Sequence, residues 1–108
     1  MRISNEGDRF IGSHIPGPTH NFLALRLTSS AAPHPPEIIA HDRHPSSGIK
    51  LRAEEVAEWV SNGIAQANRE LGTRYVATHI EFDVTDSHRP EVMAEIARRI
   101  VLAKHTTP

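Results

Sequence analysis

The chain has 108 residues, a formal net charge of −1 and no cysteine. This length allows one domain with its own hydrophobic core, and the lack of cysteine excludes disulfides and thiolate chemistry. A near-neutral charge argues against strong non-specific binding to nucleic acid, because such binding needs a basic surface. The cations are nearly all arginine, with Lys50 and Lys104 as the lysines, which indicates a GC-rich genome.

The sequence contains no apolar segment of the kind that enters a membrane. The N-terminal stretch MRISNEGDRF lacks the apolar run of a signal peptide, and no later run reaches the length of a membrane span. We therefore expect a cytoplasmic protein with no membrane partner.

Two alternating segments near the N terminus predict a β-hairpin. The first runs from Arg9 to Ile15, and the second runs from His20 to Leu27 with leucines at alternate positions. Pro16-Gly17-Pro18 between them suits a type II turn. The first eight residues are polar, and we expect a frayed end or the start of an edge.

Residues 29–48 are rich in proline, histidine and serine and are predicted to form a loop region. The segment from Glu37 to His41 is the one candidate strand within it. The loop flanks lack any apolar periodicity that would anchor them to a core.

The second half of the chain predicts helix, strand and helix. Apolar residues at intervals of three and four from Val56 to Leu71 predict an amphipathic helix, which Gly72 would end in a left-handed cap conformation. Gly63 lies on this stripe, and we expect it to let another backbone approach closely. Pro90 suits the first turn of a second helix, which begins at about Arg89.

Between the helices, the stretch from Thr73 to Val84 alternates apolar and polar residues and predicts a strand covered on one side. Its predicted core side carries Val76, Thr78, Ile80, Phe82 and Val84. Its predicted polar side carries Tyr75, Ala77, His79, Glu81 and Asp83. The whole chain is therefore predicted to be a single α+β domain over residues 1–108. Its expected architecture is a two-layer β-β-β-α-β-α sandwich, in which a four-stranded sheet carries two helices on one face.

The polar side of this strand offers one candidate for chemistry. His79 beside Glu81 could be a general base with an orienting carboxylate, and Tyr75 would lie near them. No serine in the chain has the context of a catalytic nucleophile. A ligand-binding surface, a homodimer contact through the open sheet face, or a solvated face are the alternatives.

A metal site is a second candidate. His34, His41 and His44 could share zinc, since neutral histidine is a common ligand. No fourth ligand has a fixed place, and solvated loop histidines are the alternative that we favour. The stretch from Gly12 to His20 lacks the spacing of a phosphate-binding loop, and we predict no cofactor.

The C-terminal half also resembles a known family. The points of likeness are Glu55-Val56, Val60, Gly63-Ile64, Ala67, Gly72, Tyr75, Ile80, Asp86-Ser87, Ala94 and Ile96-Ala97, with an alternating strand from Thr19 to Leu27 before the helix. In these features the chain resembles domain IV of bacterial elongation factor G.

This resemblance implies the β3-α-β-α arrangement of the ribosomal protein S5 domain 2-like fold, which contains a left-handed crossover. In that family, loops at one end of the domain reach into the ribosomal decoding region. The matching positions here are residues 15–20 and the loop from Thr85 to Arg89. The GTPase domain and its phosphate loop are missing, so nucleotide hydrolysis is not implied.

Our first functional hypothesis is a small non-enzymatic binding module that contacts RNA or a protein through its loop tips. The residues expected at this contact are His14, His20, Asp86, His88 and Arg89. The alternative is a small enzyme or ligand-binding protein that uses the open sheet face around Tyr75, His79 and Glu81. A pocket on that face, with His79 bonded to a carboxylate, would favour the alternative; an inhibitor or immunity-type protein is a third interpretation.

Overall fold

The computed structural model describes residues 1–15, 20–30 and 34–107, so the predicted turn at Pro16–Pro18 lies outside the described residues. In the described part the elements are β1 (Arg2–Glu6), β2 (Arg9–His14), β3 (Asn21–Thr28), β4 (Glu37–His41), α1 (Ala53–Leu71), β5 (Val76–Asp83) and α2 (Pro90–Thr106). The α+β class, the candidate strand β4 and both helices are confirmed. Neither of these two helices is long and apolar enough to cross a membrane.

The strands form one mixed sheet in the order β1-β2-β3-β5-β4. The pairs β1–β2, β2–β3 and β3–β5 are antiparallel, whereas β4 runs parallel to β5. The prediction of four strands was therefore wrong, because the N-terminal segment forms the edge strand β1.

A tight turn joins β1 to β2 and explains this extra strand. Glu6 pairs with Arg9, and Gly7 between them has a φ of 62°, as the first position of a type II′ hairpin requires. Only Ile3 of β1 packs against the core, because β1 is an edge strand whose other residues are exposed. The segment therefore lacks the apolar alternation that would have marked it as a strand.

One hydrophobic cluster joins the strands to both helices. Leu23, Leu25, Ile80 and Phe82 take alternate positions on β3 and β5, and each is at most 1% exposed. The helices contribute Val56, Val60, Ile64, Ala67, Met93, Ile96, Ile100 and Val101 to the same cluster. The predicted apolar stripes of both helices are thus the surfaces that are buried.

Gly63 lies where α1 meets α2. A Cβ atom at this position would lie 2.0 Å from the carbonyl oxygen of Ala94 and 3.0 Å from the Cβ of Ala97. The prediction that Gly63 permits a close backbone approach is confirmed, and the backbone that approaches belongs to α2.

A β-bulge changes the faces of β5 from those predicted. Arg26 of β3 pairs with His79, but the next pair joins Leu27 to Ala77, so Thr78 has no partner on β3. As a result Ala77 is buried at 9% exposure, whereas Val76 is 37% exposed. Tyr75 packs against the core, with its hydroxyl 3.3 Å from Nδ1 of His105. The prediction that Tyr75 shares a face with His79 and Glu81 was wrong.

Candidate functional site

The strand side chains that do not enter the core form a second surface, which we call the polar face of the sheet. By register it carries Arg2, Ser4, Glu6, Arg9, Ile11, Ser13, Phe22, Ala24, Arg26, Glu37, Ile39, His41, His79, Glu81 and Asp83. A hollow of about 350 Å³ opens on this face, and we call it the polar-face pocket. Its lining residues are Arg9, Phe22, His41, Arg43, Glu81 and Asp83.

Glu81 is the central carboxylate of the pocket. It accepts a hydrogen bond of 2.9 Å from Nε of Arg9 and lies 2.7 Å from Nε2 of His41. The hydrogen bond from Arg9 lowers the pKa of Glu81, and the contact with His41 adds to this effect against the opposing influence of burial. Glu81 is therefore an ionised anchor that orients one guanidinium and one imidazole.

The predicted pairing of His79 with Glu81 is replaced by two cross-strand pairs. His79 lies 3.2 Å from the carboxylate of Glu37 on β4, and Glu81 pairs with His41 from the same strand. Residues two apart on one strand are separated by about 6.6 Å, whereas neighbouring strands lie about 4.8 Å apart. His79 therefore contacts Glu37, which lies directly opposite it, in preference to Glu81 on its own strand.

Arg43 follows β4 and is held by two buried carboxylates. Its Nε donates to Asp83 at 2.7 Å, and its Nη2 donates to Asp86 at 2.6 Å. The side chains of Asp83 and Asp86 are 2% and 0% exposed, whereas that of Arg43 is 48% exposed. The two buried carboxylates thus hold the guanidinium group in place and leave part of it exposed to solvent.

The protonation of Asp83 is set by competing effects. Burial alone would raise its pKa, but hydrogen bonds from the hydroxyl and N–H of Thr85 and from Arg43 outweigh it, so the pKa lies below its usual value. Asp83 is therefore a carboxylate, and its charge complements that of Arg43.

Asp86 also ties the loop after β5 to the start of β3. Its Oδ2 accepts the Phe22 N–H at 2.7 Å, and its Oδ1 lies 2.9 Å from Nδ1 of His20. Ser87 donates its N–H to the His20 carbonyl at 3.0 Å, and the Asn21 side chain donates to the Ser87 carbonyl at 2.8 Å. These bonds place Phe22 and Arg43 at one end of the pocket.

The structure brings together only some of the residues expected at the partner contact. His20 and Asp86 meet in the Arg43 cluster, where Asp86 is buried and serves internal bonds. His88 stacks edge-on against Trp59 at 5.0 Å between ring centroids, and Arg89 bonds to Glu91 at 3.2 Å. His14 ends β2, next to the undescribed part of the 15–20 tip.

The zinc alternative finds no support in the described part of the chain. His41 is engaged by Glu81, whereas His34 lines a separate hollow beside α1. Within residues 1–15, 20–30 and 34–107, no three histidine, aspartate or glutamate side chains are grouped as metal ligands would be.

The carboxylates of the pocket are more deeply buried than its N–H donors. The carboxylates of Glu81, Asp83 and Asp86 are at most 16% exposed, while the side chains of Arg9, His41 and Arg43 are 24% to 48% exposed. Three carboxylates surround two guanidinium groups, so with neutral histidines the formal charge of the cluster is −1. A ligand in the pocket would therefore meet exposed N–H donors whose charge is already balanced, which favours a ligand that has hydrogen-bond acceptors and no negative charge.

Sequence reasoning missed Arg9, Phe22 and Arg43 as members of one site. The available signal was the order β4–α1–β5, because strands joined through a helix run parallel and their carboxyl ends lie side by side. That rule places Arg43, just after β4, next to Asp83 at the end of β5.

The depressed pKa values of Glu81 and Asp83 predict an acid-sensitive stability. A carboxyl group whose pKa is lower in the folded state adds stability above its unfolded pKa and loses it as pH falls through the folded pKa. The model-compound values are 4.5 for glutamate and 3.8 for aspartate, so the loss begins near these values and continues below them. We expect urea unfolding of wild type between neutral pH and pH about 3 to show a steeper loss than that of Glu81→Gln.

The exposed Glu58 on α1 supplies the control for this measurement. Glu58→Gln should keep the pH dependence of wild type. Parallel pH profiles for wild type and Glu81→Gln would contradict the assignment of Glu81 as an ionised anchor.

Comparison with protein-family models, with curated proteins and with solved structures finds no match for this chain.

Proposed function

We propose that the protein is a cytoplasmic, non-enzymatic binding module that takes a small uncharged ligand with hydrogen-bond acceptors, such as a flat amide, in the polar-face pocket. The observation that carries this proposal is the pair of guanidinium groups, Arg9 and Arg43, held by buried carboxylates around one hollow. Rigid donors of this kind lose little conformational entropy when a ligand binds. The volume of about 350 Å³ falls in the range of about 300–1,000 Å³ that is usual for ligand pockets.

Phe22 supplies the apolar part of the proposed recognition. It lines the pocket together with the two arginines, and a flat ligand can stack on its ring or meet its edge. The chemistry of the lining thus matches an aromatic amide, with the carbonyl oxygen on the guanidinium groups and the ring on Phe22. Benzamide is the simplest probe with both features.

The proposal takes the sheet to be covered by both helices on the opposite face, as a two-layer sandwich with five strands. The single hydrophobic cluster that joins the strands to α1 and α2 supports this arrangement. The pocket lining supports it too, because its strand residues all come from alternate positions outside the core. A helix-free polar face leaves the pocket open to a ligand.

Arginine-to-lysine variants test the proposal. We expect Arg9→Lys and Arg43→Lys each to weaken benzamide binding by about 10-fold, because lysine keeps the charge but loses the planar guanidinium group whose remaining N–H donors face the ligand. Arg26→Lys is the matched control, since Arg26 lies on the same face but bonds to Asp8 outside the pocket. Isothermal titration or NMR titration would measure the affinities; equal binding by all three variants would contradict the proposal.

Contact with RNA or a protein through the loop ends is the second candidate, in line with the resemblance to domain IV of elongation factor G. The observation that favours it is the network that draws His20, Arg43 and Ser87 from three loops to one end of the sheet. In this proposal Asp86 positions the loops, and His14, His88 and Arg89 make the contacts.

Salt dependence distinguishes this candidate from the first. If a structured RNA binds, Arg89→Ala should weaken binding and reduce the slope of log K against log salt by about 1. Arg74→Ala is the matched control, because Arg74 is exposed just before β5, at the opposite end of that strand. Unchanged binding of the Arg89 variant at both low and moderate salt would count against this candidate.

A further inference from the structure

The strand β4 forms one edge of the sheet and is unusually apolar for an edge. Within the described residues it pairs with β5 only, and all five of its residues are exposed. Ile38 and Ile39 are each 37% exposed and point to opposite faces. The other edge, β1, has the polar sequence RISNE. Proteins usually protect an edge strand with charges or coverage, because an open apolar edge pairs with another strand.

The backbone of β4 shows which groups face the free edge. The His41 carbonyl accepts the Val84 N–H at 2.8 Å on the β5 side. Backbone groups of successive strand residues point to opposite edges, so those of Glu37 and Ile39 also face β5. The N–H and C=O groups of Ile38 and Ala40 therefore face outward.

The sequence of β4 is self-complementary in an antiparallel pairing centred on Ile39. Ile38 then lies opposite the partner subunit's Ala40, and these outward-facing residues exchange both backbone hydrogen bonds. Glu37 lies opposite the partner subunit's His41, so a carboxylate faces an imidazole at both ends and no like charges meet. We propose that a second copy of the chain pairs with β4 in this register and forms a symmetric dimer with a continuous sheet.

The charged ends of β4 remain accessible for this pairing. The side chain of Glu37 is 68% exposed, although it lies near His79, and that of His41 is 47% exposed, although its Nε2 contacts Glu81. Nδ1 of His41 is the other ring nitrogen, and it is the atom that meets the partner subunit's Glu37.

The surface beside β4 on the helix side is also suited to a second copy. A hollow of about 590 Å³ lies between α1 and β5, and its lining includes Pro36, Ile64 and Ile80. The side of α1 that borders it carries Ser61, Ala65 and Asn68, which bring no charge to the contact. An isologous interface places the same patch of both copies together, so an uncharged patch avoids like-charge repulsion.

The prolines that flank β4 limit how far the pairing extends. Pro35 and Pro36 precede the strand and Pro45 follows it, and proline cannot donate to a sheet ladder. The paired segment is therefore the five residues from Glu37 to His41. Because pairing about a two-fold axis uses the same edge of both copies, it closes at a dimer and does not continue into fibres.

Sedimentation equilibrium over a range of concentrations tests this proposal. Wild type should approach twice the chain mass of 12.0 kDa. Ala40→Pro should raise the dimer dissociation constant by more than about 100-fold, because it removes an outward N–H at two symmetric places. Its fold should survive, since this N–H takes no part in the β4–β5 ladder. Ile39→Lys, which places two like charges at the centre, should dissociate the dimer as well.

Ile49→Lys is the matched control, because Ile49 is 87% exposed and lies outside the strand. It should remain dimeric, and circular dichroism should show native structure in all three variants. A wild type that stays monomeric at every concentration would overturn the proposal. So would a dimer that survives both β4 variants, which would place the interface elsewhere, as in the dimer through the polar face that the sequence suggested. Binding of benzamide to a monomeric wild type would leave the ligand proposal standing while this one falls.

Discussion

Replacing Asp86 by alanine is expected to lower the free energy of unfolding by about 3 kcal/mol, the lower part of the range for breaking a buried ion pair. The carboxylate is fully buried and accepts from the Phe22 N–H and from Arg43. Its removal leaves a backbone donor without an acceptor in a place that water reaches poorly, which is costly in itself. Urea unfolding followed by circular dichroism would measure the change.

Asp42→Ala is the matched control for this prediction. Asp42 also forms an ion pair, with Lys50 at 2.6 Å, but both side chains are more than one-third exposed. Exposed pairs of this kind contribute about 0–1 kcal/mol. If the two variants lost equal stability, the assignment of Asp86 as the buried junction between β3 and the loop after β5 would be wrong.

Gly63→Ala should also destabilise the protein strongly, by about 3 kcal/mol or more, at the upper end of the range for overpacking. The new Cβ would lie 2.0 Å from the backbone oxygen of Ala94, so α1 and α2 would have to separate. The gain in helix propensity from glycine to alanine, about 1 kcal/mol, offsets only part of this cost. Thermal or urea unfolding would measure the effect.

Two other alanine variants serve as comparisons for Gly63→Ala. Ser61→Ala lies on an exposed face of the same helix and should be neutral or slightly stabilising. Gly12→Ala would place a Cβ 2.3 Å from Cγ2 of Ile96, a methyl group on the β-branch of a fully buried helical residue, so it should be destabilising as well. A neutral Gly63→Ala would contradict the close packing of the two helices.

The parts of the fold that sequence reasoning predicted are those with strong periodicity. The stripes of α1 and α2 repeat at helical spacing over several turns, and each stripe is buried in the structure. Strand β1 escaped prediction because only one of its residues, Ile3, reaches the core. The bulge at Thr78 was not predicted either. An unpaired residue does not change the alternation of apolar and polar residues in the sequence, but it places the strand residues before it on the opposite face from the one predicted.

The sequence predicted the carboxylates of the site better than its cations. Asp83 and Asp86 follow a clear strand, and Glu81 lies on its polar side. Arg9 lies on β2 and Arg43 lies just after β4, so their contacts with these carboxylates depend on strand order and register. The order β4–α1–β5 indicates where Arg43 lies, but no local pattern in the sequence fixes the register that brings Arg9 to Glu81.

The central claim is that Arg9 and Arg43 are fixed donors at one ligand site. The most direct measurement is a ¹H–¹⁵N NMR spectrum of the arginine Nε–H groups of wild type during a titration with benzamide. The Nε–H signals of Arg9 and Arg43, which donate to Glu81 and Asp83, should exchange slowly with water and should shift together along one binding curve. The signals of Arg26 and Arg52 should stay in place. Shifts that spread over all arginines, or none at Arg9 and Arg43, would contradict the claim.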